Sequence, residues 1–206
     1  MLEEPRAYDY LYQTGKPVGQ VWGLQAIGYF VDDADIANSI PQQFGPVKPG
    51  DIKYKDINGD NVINENDMIP MGYNYNCPEI YYGFNVGLEW KGLGFNAYFQ
   101  GVGNYTAQLS SSSLYMPLVN NTSISKYVYN NHWTPENPSA RFPRLSTETV
   151  DNNTQYASSV WLADRSFLKL RNCEVYYKLP AAWLSKIKMK QAKVCLLYTS
   201  PSPRDR

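Results

Sequence analysis

Two segments of alternating apolar and polar residues, joined by a two-residue turn, restrict the fold of this chain more than any other feature. In residues 82–90 the even positions are apolar, namely Phe84, Val86, Leu88 and Trp90. The alternation resumes in residues 93–100 with Leu93, Phe95, Ala97 and Phe99. A period of two residues is that of a β-strand with one apolar and one polar face. Because Lys91-Gly92 offers the positive φ of a tight turn, the pattern predicts an antiparallel hairpin.

Three further segments are candidate strands. Residues 166–179 alternate in their lower half, but Lys169 and Arg171 enter the apolar row in their upper half. Either that half stands outside the apolar layer, or a bulge shifts the register. Residues 186–194 form a shorter candidate. Residues 17–30 form an earlier one, with Val18, Trp22, Leu24 and Ala26 in one row. The fold class expected is all-β, with antiparallel up-and-down strands.

The lengths of the connections indicate where such strands belong. The connections at residues 91–92 and 180–185 are short, whereas those at residues 31–79 and 103–160 are very long. In an up-and-down meander both long loops fall on one side, as expected of an outer-membrane β-barrel with long extracellular loops. Alternation alone fits a soluble protein equally well, so the alternative is a secreted, calcium-stabilised β-sandwich that binds carbohydrate or mediates adhesion.

Composition excludes several classes of function. The 19 basic and 19 acidic residues cancel, which argues against a nucleic-acid partner. The three cysteines fit neither a metal site nor a closed disulfide framework. The single histidine, His132, has no serine or cysteine partner motif, so we expect a loop residue rather than a catalytic one. We therefore expect that the protein is not an enzyme.

One loop has the spacing of an EF-hand calcium site. In residues 56–67, five oxygen-bearing side chains and one backbone carbonyl fall at the ligand positions: Asp56, Asn58, Asp60, Val62, Asn64 and Asp67. Ca²⁺ takes six to eight oxygen ligands on a tightly turning backbone. The sixth position needs positive φ, and the residue there is Asn61. Asparagine adopts positive φ more readily than most residues other than glycine. The alternative is a solvated turn whose side chains cap their own backbone. A structural Ca²⁺ is the only cofactor that we expect.

Aromatic residues in the long loops are candidates for substrate contact. Sugars stack on such rings, although loop aromatics commonly pack the loop itself. The candidates are Tyr115, Tyr127, Tyr129 and Trp133.

The end of the chain does not read as native protein. Residues 195–205 correspond codon by codon to a transposase sequencing adapter, provided that the codon of Val194 ends in C. We therefore expect one native domain, residues 1–194, followed by adapter read-through in residues 195–206.

Several motifs together resemble a known family. They are PGDIKYKDINGD at residues 49–60, IPMG at 69–72, YGFN at 82–85, WKG at 90–92, FQG at 99–101, WTPENP at 133–138, PRL at 143–145, FLKLRN at 167–172 and YKLP at 177–180. The motif GKPVG at 15–19, followed by Trp22-Gly23, is the first of these motifs along the chain. The chain is similar to the C-terminal region of SusC/RagA-type TonB-linked outer-membrane proteins of Bacteroidetes.

The resemblance implies a fold, a location and partners. It implies an incomplete part of a barrel of about 22 strands in the cell outer membrane. Uptake of oligosaccharides or peptides would involve a SusD-like surface lipoprotein. Energy would come from TonB–ExbB–ExbD through an N-terminal region that we expect to be missing here. The apolar row Phe84, Val86, Leu88, Phe95 and Phe99 would face outer-membrane lipid, and the polar row Asn85, Glu89, Asn96 and Gln100 would face inward.

Overall fold

The structure is a computed structural model that describes residues 3–149, 151–185 and 188–200. The chain divides into two compact units. The first, which we call the loop unit, contains Met1–Cys77 and Thr106–Asp164. The second, the sheet unit, contains Pro78–Tyr105 and Arg165–Arg206. Each unit therefore combines two stretches of sequence.

Strands dominate the described part of the chain. They are β1 Val21–Gly23, β2 Ala26–Tyr29, β3 Ile52–Tyr54, β4 Ile69–Met71, β5 Ile80–Trp90, β6 Leu93–Gly103, β7 Thr106–Gln108, β8 Leu162–Asp164, β9 Phe167–Lys178 and β10 Lys193–Thr199. The α-helices are short: α1 Asp33–Ala37, α2 Ser112–Tyr115, α3 Lys126–Asn130 and α4 Ala181–Leu184. Single 3₁₀ turns occupy Asp9–Leu11, Glu65–Asp67, Val119–Asn121 and Ser159–Trp161.

The sheet unit is one antiparallel sheet with the strand order β10-β9-β6-β5. The predicted hairpin is present, since β5 and β6 pair from Trp90↔Leu93 to Ile80↔Gly103. Its turn has φ of 46° at Lys91 and 86° at Gly92, as the sequence predicted. The all-β, antiparallel fold class is confirmed.

The register gives this sheet one apolar face. Direct partners across an antiparallel ladder point to the same side, so each apolar row continues from strand to strand. The pairs are Phe84↔Phe99, Val86↔Ala97 and Leu88↔Phe95 between β5 and β6, and Phe95↔Val175, Ala97↔Cys173 and Leu93↔Tyr177 between β6 and β9. The Phe84 and Phe99 rings stack with their centroids 4.9 Å apart.

A bulge in β9 preserves that face along the whole strand. Tyr98 pairs with Asn172, but the next residue, Phe99, pairs with Leu170. Arg171 is therefore the extra residue of the bulge and has no directly opposite residue on β6. Of the two alternatives that the sequence offered, the bulge is the correct one. It returns Leu170 to the apolar row and places Lys169 opposite Gln100 on the polar face.

The other face of the sheet is polar and carries a charged cluster. Glu89 accepts hydrogen bonds from the Tyr176 hydroxyl at 2.8 Å and from Lys178 Nζ at 2.6 Å. The Tyr176 ring occupies the space beside Gly94, where a Cβ would come within 2.0 Å of it. Lys193 Nζ donates to Glu174 Oε1 at 2.6 Å.

The strand predicted over residues 17–30 is wrong. The segment breaks into β1, which pairs with β4, and β2, which pairs with β3, both inside the loop unit. The break occurs because another segment takes the backbone of Leu24: Leu24 N donates to Ala157 O at 2.9 Å, and Ser159 N donates to Leu24 O at 3.1 Å. The predicted row also fails, since Leu24 is buried while Val18 is fully open to solvent.

The two long connections are not structureless loops. They fold together around one core, formed by Leu24, Phe44, Ile52, Tyr54, Ile63, Val128, Phe142, Val160 and Trp161. Three short antiparallel pairs, β1-β4, β2-β3 and β7-β8, surround this core.

The candidate strand at residues 186–194 begins at two positions outside the described residues. The observed strand, β10, starts at Lys193 and pairs through Thr199 with β9. Because this pairing uses backbone groups that any residue except proline provides, it does not test the adapter origin of residues 195–206, which stays a prediction. Residues 201–206 lie outside the described residues.

In the described part of the chain, none of the helices has the length and apolar character needed to cross a membrane.

Candidate functional site: the loop unit

The loop unit is built around a strand whose second edge is covered by side chains. β3 pairs with β2 along one edge. On the other edge Ile52 N donates to Asn153 Oδ1 at 2.8 Å, and Ile52 O accepts from Asn152 Nδ2 at 2.8 Å. Gln42 Oε1 accepts from Tyr54 N at 2.8 Å. Carboxamides both donate and accept, so they satisfy a strand edge as another strand would.

A buried ion pair fixes the start of β3. Asp51 is fully buried, and its Oδ1 accepts from Arg144 Nε at 2.6 Å and from Asn153 Nδ2 at 2.9 Å. Its Oδ2 accepts from Lys48 N at 2.8 Å. Burial raises the pKa of the Asp51 carboxyl, while these hydrogen bonds and the Arg144 charge act in the opposite direction. The arrangement ties residues 48–51 to residues 144 and 153.

Aromatic side chains complete the core around this network. Trp161 Nε1 donates to Asn153 O at 2.8 Å, and the Tyr54 hydroxyl donates to Asn152 O at 3.0 Å. Burial raises the pKa of Tyr54, and it raises the pKa of Tyr29 to about 12. Both phenols therefore stay neutral at physiological pH and act as hydrogen-bond donors.

The predicted calcium loop has the expected backbone but uses its side chains locally. Asn61 has φ of 61°, as predicted for the sixth position. Asp56 accepts from the backbone N–H of Gly59 at 2.7 Å and of Asn61 at 3.0 Å. Asp60 Oδ1 accepts from Val62 N at 2.9 Å, and Asn58 Oδ1 accepts from Asp60 N at 2.9 Å.

The last two predicted ligands close this loop. Asp67 is fully buried and accepts from Ile57 N at 2.8 Å and from Asn64 N at 2.9 Å. Asn64 Oδ1 accepts from Asn66 N at 2.8 Å. Among the residues that the structure describes, no group of three or more histidine, cysteine or acidic side chains is arranged to hold a metal ion. Calcium binding stays a prediction.

Two of the four candidate aromatics pack inside the unit. Tyr115 stacks edge-on against Trp161 at 4.9 Å, and its hydroxyl donates to Thr154 O at 2.6 Å. Trp133 is buried. Tyr127 and Tyr129 are each 60% exposed. His132 Nδ1 lies 2.6 Å from Tyr129 O and, since a carbonyl can only accept, it donates there.

A polar cleft was not anticipated from the sequence. It has a volume of about 490 Å³ and lies beside the predicted calcium loop. Its polar lining consists of Gln43, Asn64, Glu65, Asn66, Gln155 and Tyr156. Phe44 also lines the cleft, and its ring lies edge-on to the Tyr156 ring with the centroids 5.2 Å apart. No sequence signal could have found it, because three segments far apart in the chain supply its walls.

Comparisons with known proteins agree with this fold. Two curated relatives come from Formosa agariphila. "TonB-dependent receptor P26" is 31% identical over 188 residues, which cover 91% of this chain and 18% of the relative. "TonB-dependent receptor P3" is 24% identical over 191 residues, which cover 92% of this chain and 18% of the relative. The chain thus spans about a fifth of the length of these relatives. No sequence profile of a known protein family matches it.

Solved structures show the same fold at lower identity. A chain from "Structure of the RagAB peptide transporter" aligns with a TM-score of 0.54 and 18% identity, covering 88% of this chain and 19% of that one. A chain of the RagAB peptide importer in its "open-open" state aligns with a TM-score of 0.53 over 87% of this chain. The fold is that of an antiparallel part of a β-barrel. The chain belongs to the TonB-dependent receptor family, as its resemblance to the SusC/RagA type predicted.

Proposed function

We propose that the chain is part of an outer-membrane nutrient importer and carries no enzymatic activity. The observation that supports this most is the two-faced sheet. Its apolar face is exposed across β5, β6 and β9, with Trp90 at 70% and Leu88 at 68%. A continuous apolar face of this size needs a non-aqueous neighbour. The relatives are receptors by name, which favours a transport role over catalysis.

In this proposal lipid covers the apolar face. Charged groups in hydrocarbon are costly, so the Glu89–Lys178 pair and its neighbours belong on the side away from lipid. The polar row with Asn85, Asn96 and Gln100 would then face the barrel interior. The charged cluster supports this orientation, because turning the sheet round would bury it in the bilayer.

The proposed importer has partners and substrates beyond this chain. We propose a SusD-like surface lipoprotein over the extracellular side, and coupling to TonB–ExbB–ExbD through an N-terminal region of a longer receptor. The substrate would be an oligosaccharide or a peptide. The fold match to a peptide importer and the motifs shared with the SusC/RagA type support these assignments.

Spin labels at neighbouring positions test the proposal. The other cysteines of the longer receptor are first changed to serine. A single cysteine then replaces either Phe95 on the apolar face or Asn96 on the polar face, and each variant is labelled in outer membranes. We expect the label at 95 to be reached by oxygen dissolved in lipid, and the label at 96 only by a water-soluble nickel chelate. A secreted sandwich would appear in the medium and would shield position 95 from both reagents, and this result would reject the importer.

We also propose that the loop of residues 56–67 binds one structural Ca²⁺. The observation that favours it is the positive φ of Asn61, which gives the backbone the turn that an EF-hand needs at its sixth position. A carboxylate oxygen has more than one lone pair, so Asp56 and Asp60 could keep their backbone hydrogen bonds and still coordinate the ion.

Calorimetry tests the calcium site. Titrating Ca²⁺ into the chelator-treated receptor should release or absorb heat, and Asp60→Ala should abolish that signal because it removes a central ligand. Asp33→Ala, in an exposed acidic segment outside the loop, is the matched control and should bind normally. Absence of heat from the unaltered receptor would show that the side chains serve only to cap their own backbone.

A further inference from the structure

The cleft beside the calcium loop has the chemistry of a saccharide site. Four of its six polar residues are carboxamides, and the charged residue among them is Glu65. Among the residues that the structure describes, no lysine or arginine lines the cleft, so it offers little to an anionic ligand. Its volume of about 490 Å³ falls within the usual range for small-molecule sites. A ligand here must therefore be recognised mainly by neutral hydrogen bonds.

Several of these groups have unused hydrogen-bonding capacity. Neither the Gln43 nor the Asn66 carboxamide hydrogen-bonds to any described residue, although the backbone of Gln43 is held by Ile63 O at 3.0 Å. Each free carboxamide can donate twice and accept twice. Sugar hydroxyls, which also donate and accept, are well matched to such groups.

One aromatic residue is held rigidly at the edge of the cleft. The Tyr156 hydroxyl donates to Glu65 Oε1, and its ring rests against buried Phe44. Glu65 belongs to the 3₁₀ turn whose Asn64 cap and Asp67 carboxylate form a reciprocal capping box. Little side-chain entropy would therefore be lost when a ligand docks against Tyr156.

We propose that this cleft binds a neutral oligosaccharide, through the carboxamides of Gln43 and Asn66 and the Tyr156 ring. The inference rests on the proposed importer and narrows its substrate class from oligosaccharides or peptides to the former. A short peptide fits the cleft less well, because no lysine or arginine among the described lining residues would pair with its terminal carboxylate, whereas a neutral oligosaccharide carries no such charge.

The test uses the longer receptor in detergent, with short neutral glucose-, mannose- and xylose-based oligosaccharides and peptides of similar size as probes. Calorimetry should detect binding of at least one oligosaccharide. Gln43→Ala and Asn66→Ala should each weaken it about tenfold, as expected for loss of one or two hydrogen bonds. Gln13→Ala, which removes an exposed carboxamide outside the cleft, should leave it unchanged. Tyr156→Phe keeps the ring and should have a smaller effect.

Three results would overturn the site. The first is that no oligosaccharide of the panel binds. The second is that an oligosaccharide binds equally well to the Gln43→Ala and Asn66→Ala variants. The third is that a peptide binds and that these two variants abolish its binding. Each leaves the importer itself intact, because the spin labels at positions 95 and 96 report on it separately. Thermal unfolding of each variant verifies that the loop unit is folded.

Discussion

Asp51→Ala is expected to lower the stability of the loop unit by about 3–5 kcal/mol, the cost of breaking a buried ion pair from one side. The substitution leaves Arg144, whose side chain is only 16% exposed, with a single longer contact of 3.9 Å to the exposed carboxylate of Glu148. It also strands Asn153 Nδ2 and Lys48 N, which donate to the same carboxyl. Hydrogen exchange in the longer receptor would measure the loss, as faster exchange at Ile52 and Tyr54.

The matched control is the ion pair between Lys53 and Asp35, close to the same strand. Their side chains are 29% and 31% exposed, so solvent screens the pair. Exposed pairs contribute little to stability. Asp35→Ala should therefore leave exchange at Ile52 nearly unchanged. Equal effects of the two substitutions would mean that the buried pair does not organise this unit.

Gly50→Ala is expected to have the second-largest effect, through two separate costs. Gly50 has φ of +87°, a conformation that strains any L-residue by about 1 kcal/mol or more. Its added Cβ would also come within 2.4 Å of the Trp133 ring and 2.9 Å of Arg144 Cβ. Such overpacking typically costs about 1–3 kcal/mol. Protease sensitivity of the loop unit should rise accordingly.

Gly15→Ala separates these two costs. Gly15 has φ of +85°, almost the same backbone conformation, but a Cβ there would meet nothing within 4 Å. It should therefore show the backbone strain alone. If the two alanine variants are equally sensitive to protease, the close approach of Trp133 to Gly50 is not important for folding.

The sheet unit could be predicted because its information is local. Alternation over eight or more residues identifies a strand, and Lys91-Gly92 identifies the turn between two of them. The bulge was one of two alternatives, and only the pairing of Phe99 with Leu170 decides between them. The strands of this unit are long enough to show the two-residue period, so they could be predicted from the sequence.

The loop unit could not be predicted for the opposite reason. Its strands have three or four residues, too few to show a period. The edge of β3 is completed by Gln42, Asn152 and Asn153, and no strand pattern indicates a partner of this kind. The candidate site was predictable only in part. The positive φ of Asn61 could be predicted from the residues of its own loop, but the cleft depends on the tertiary fold and could not.

The two-segment construction of the loop unit has a consequence for the order of assembly. Its core joins Ile52 to Asn153, which are 101 residues apart, and the β5–β6 hairpin lies between them in the chain. Within residues 1–77 only Gln42 reaches the outer edge of β3, where it pairs with Tyr54 N and Ile52 O. Ile52 N therefore stays without its partner Asn153 until the second segment is made. A receptor that stalls during synthesis between these segments would therefore present an incompletely capped strand to chaperones and proteases, which could recognise it as unfinished.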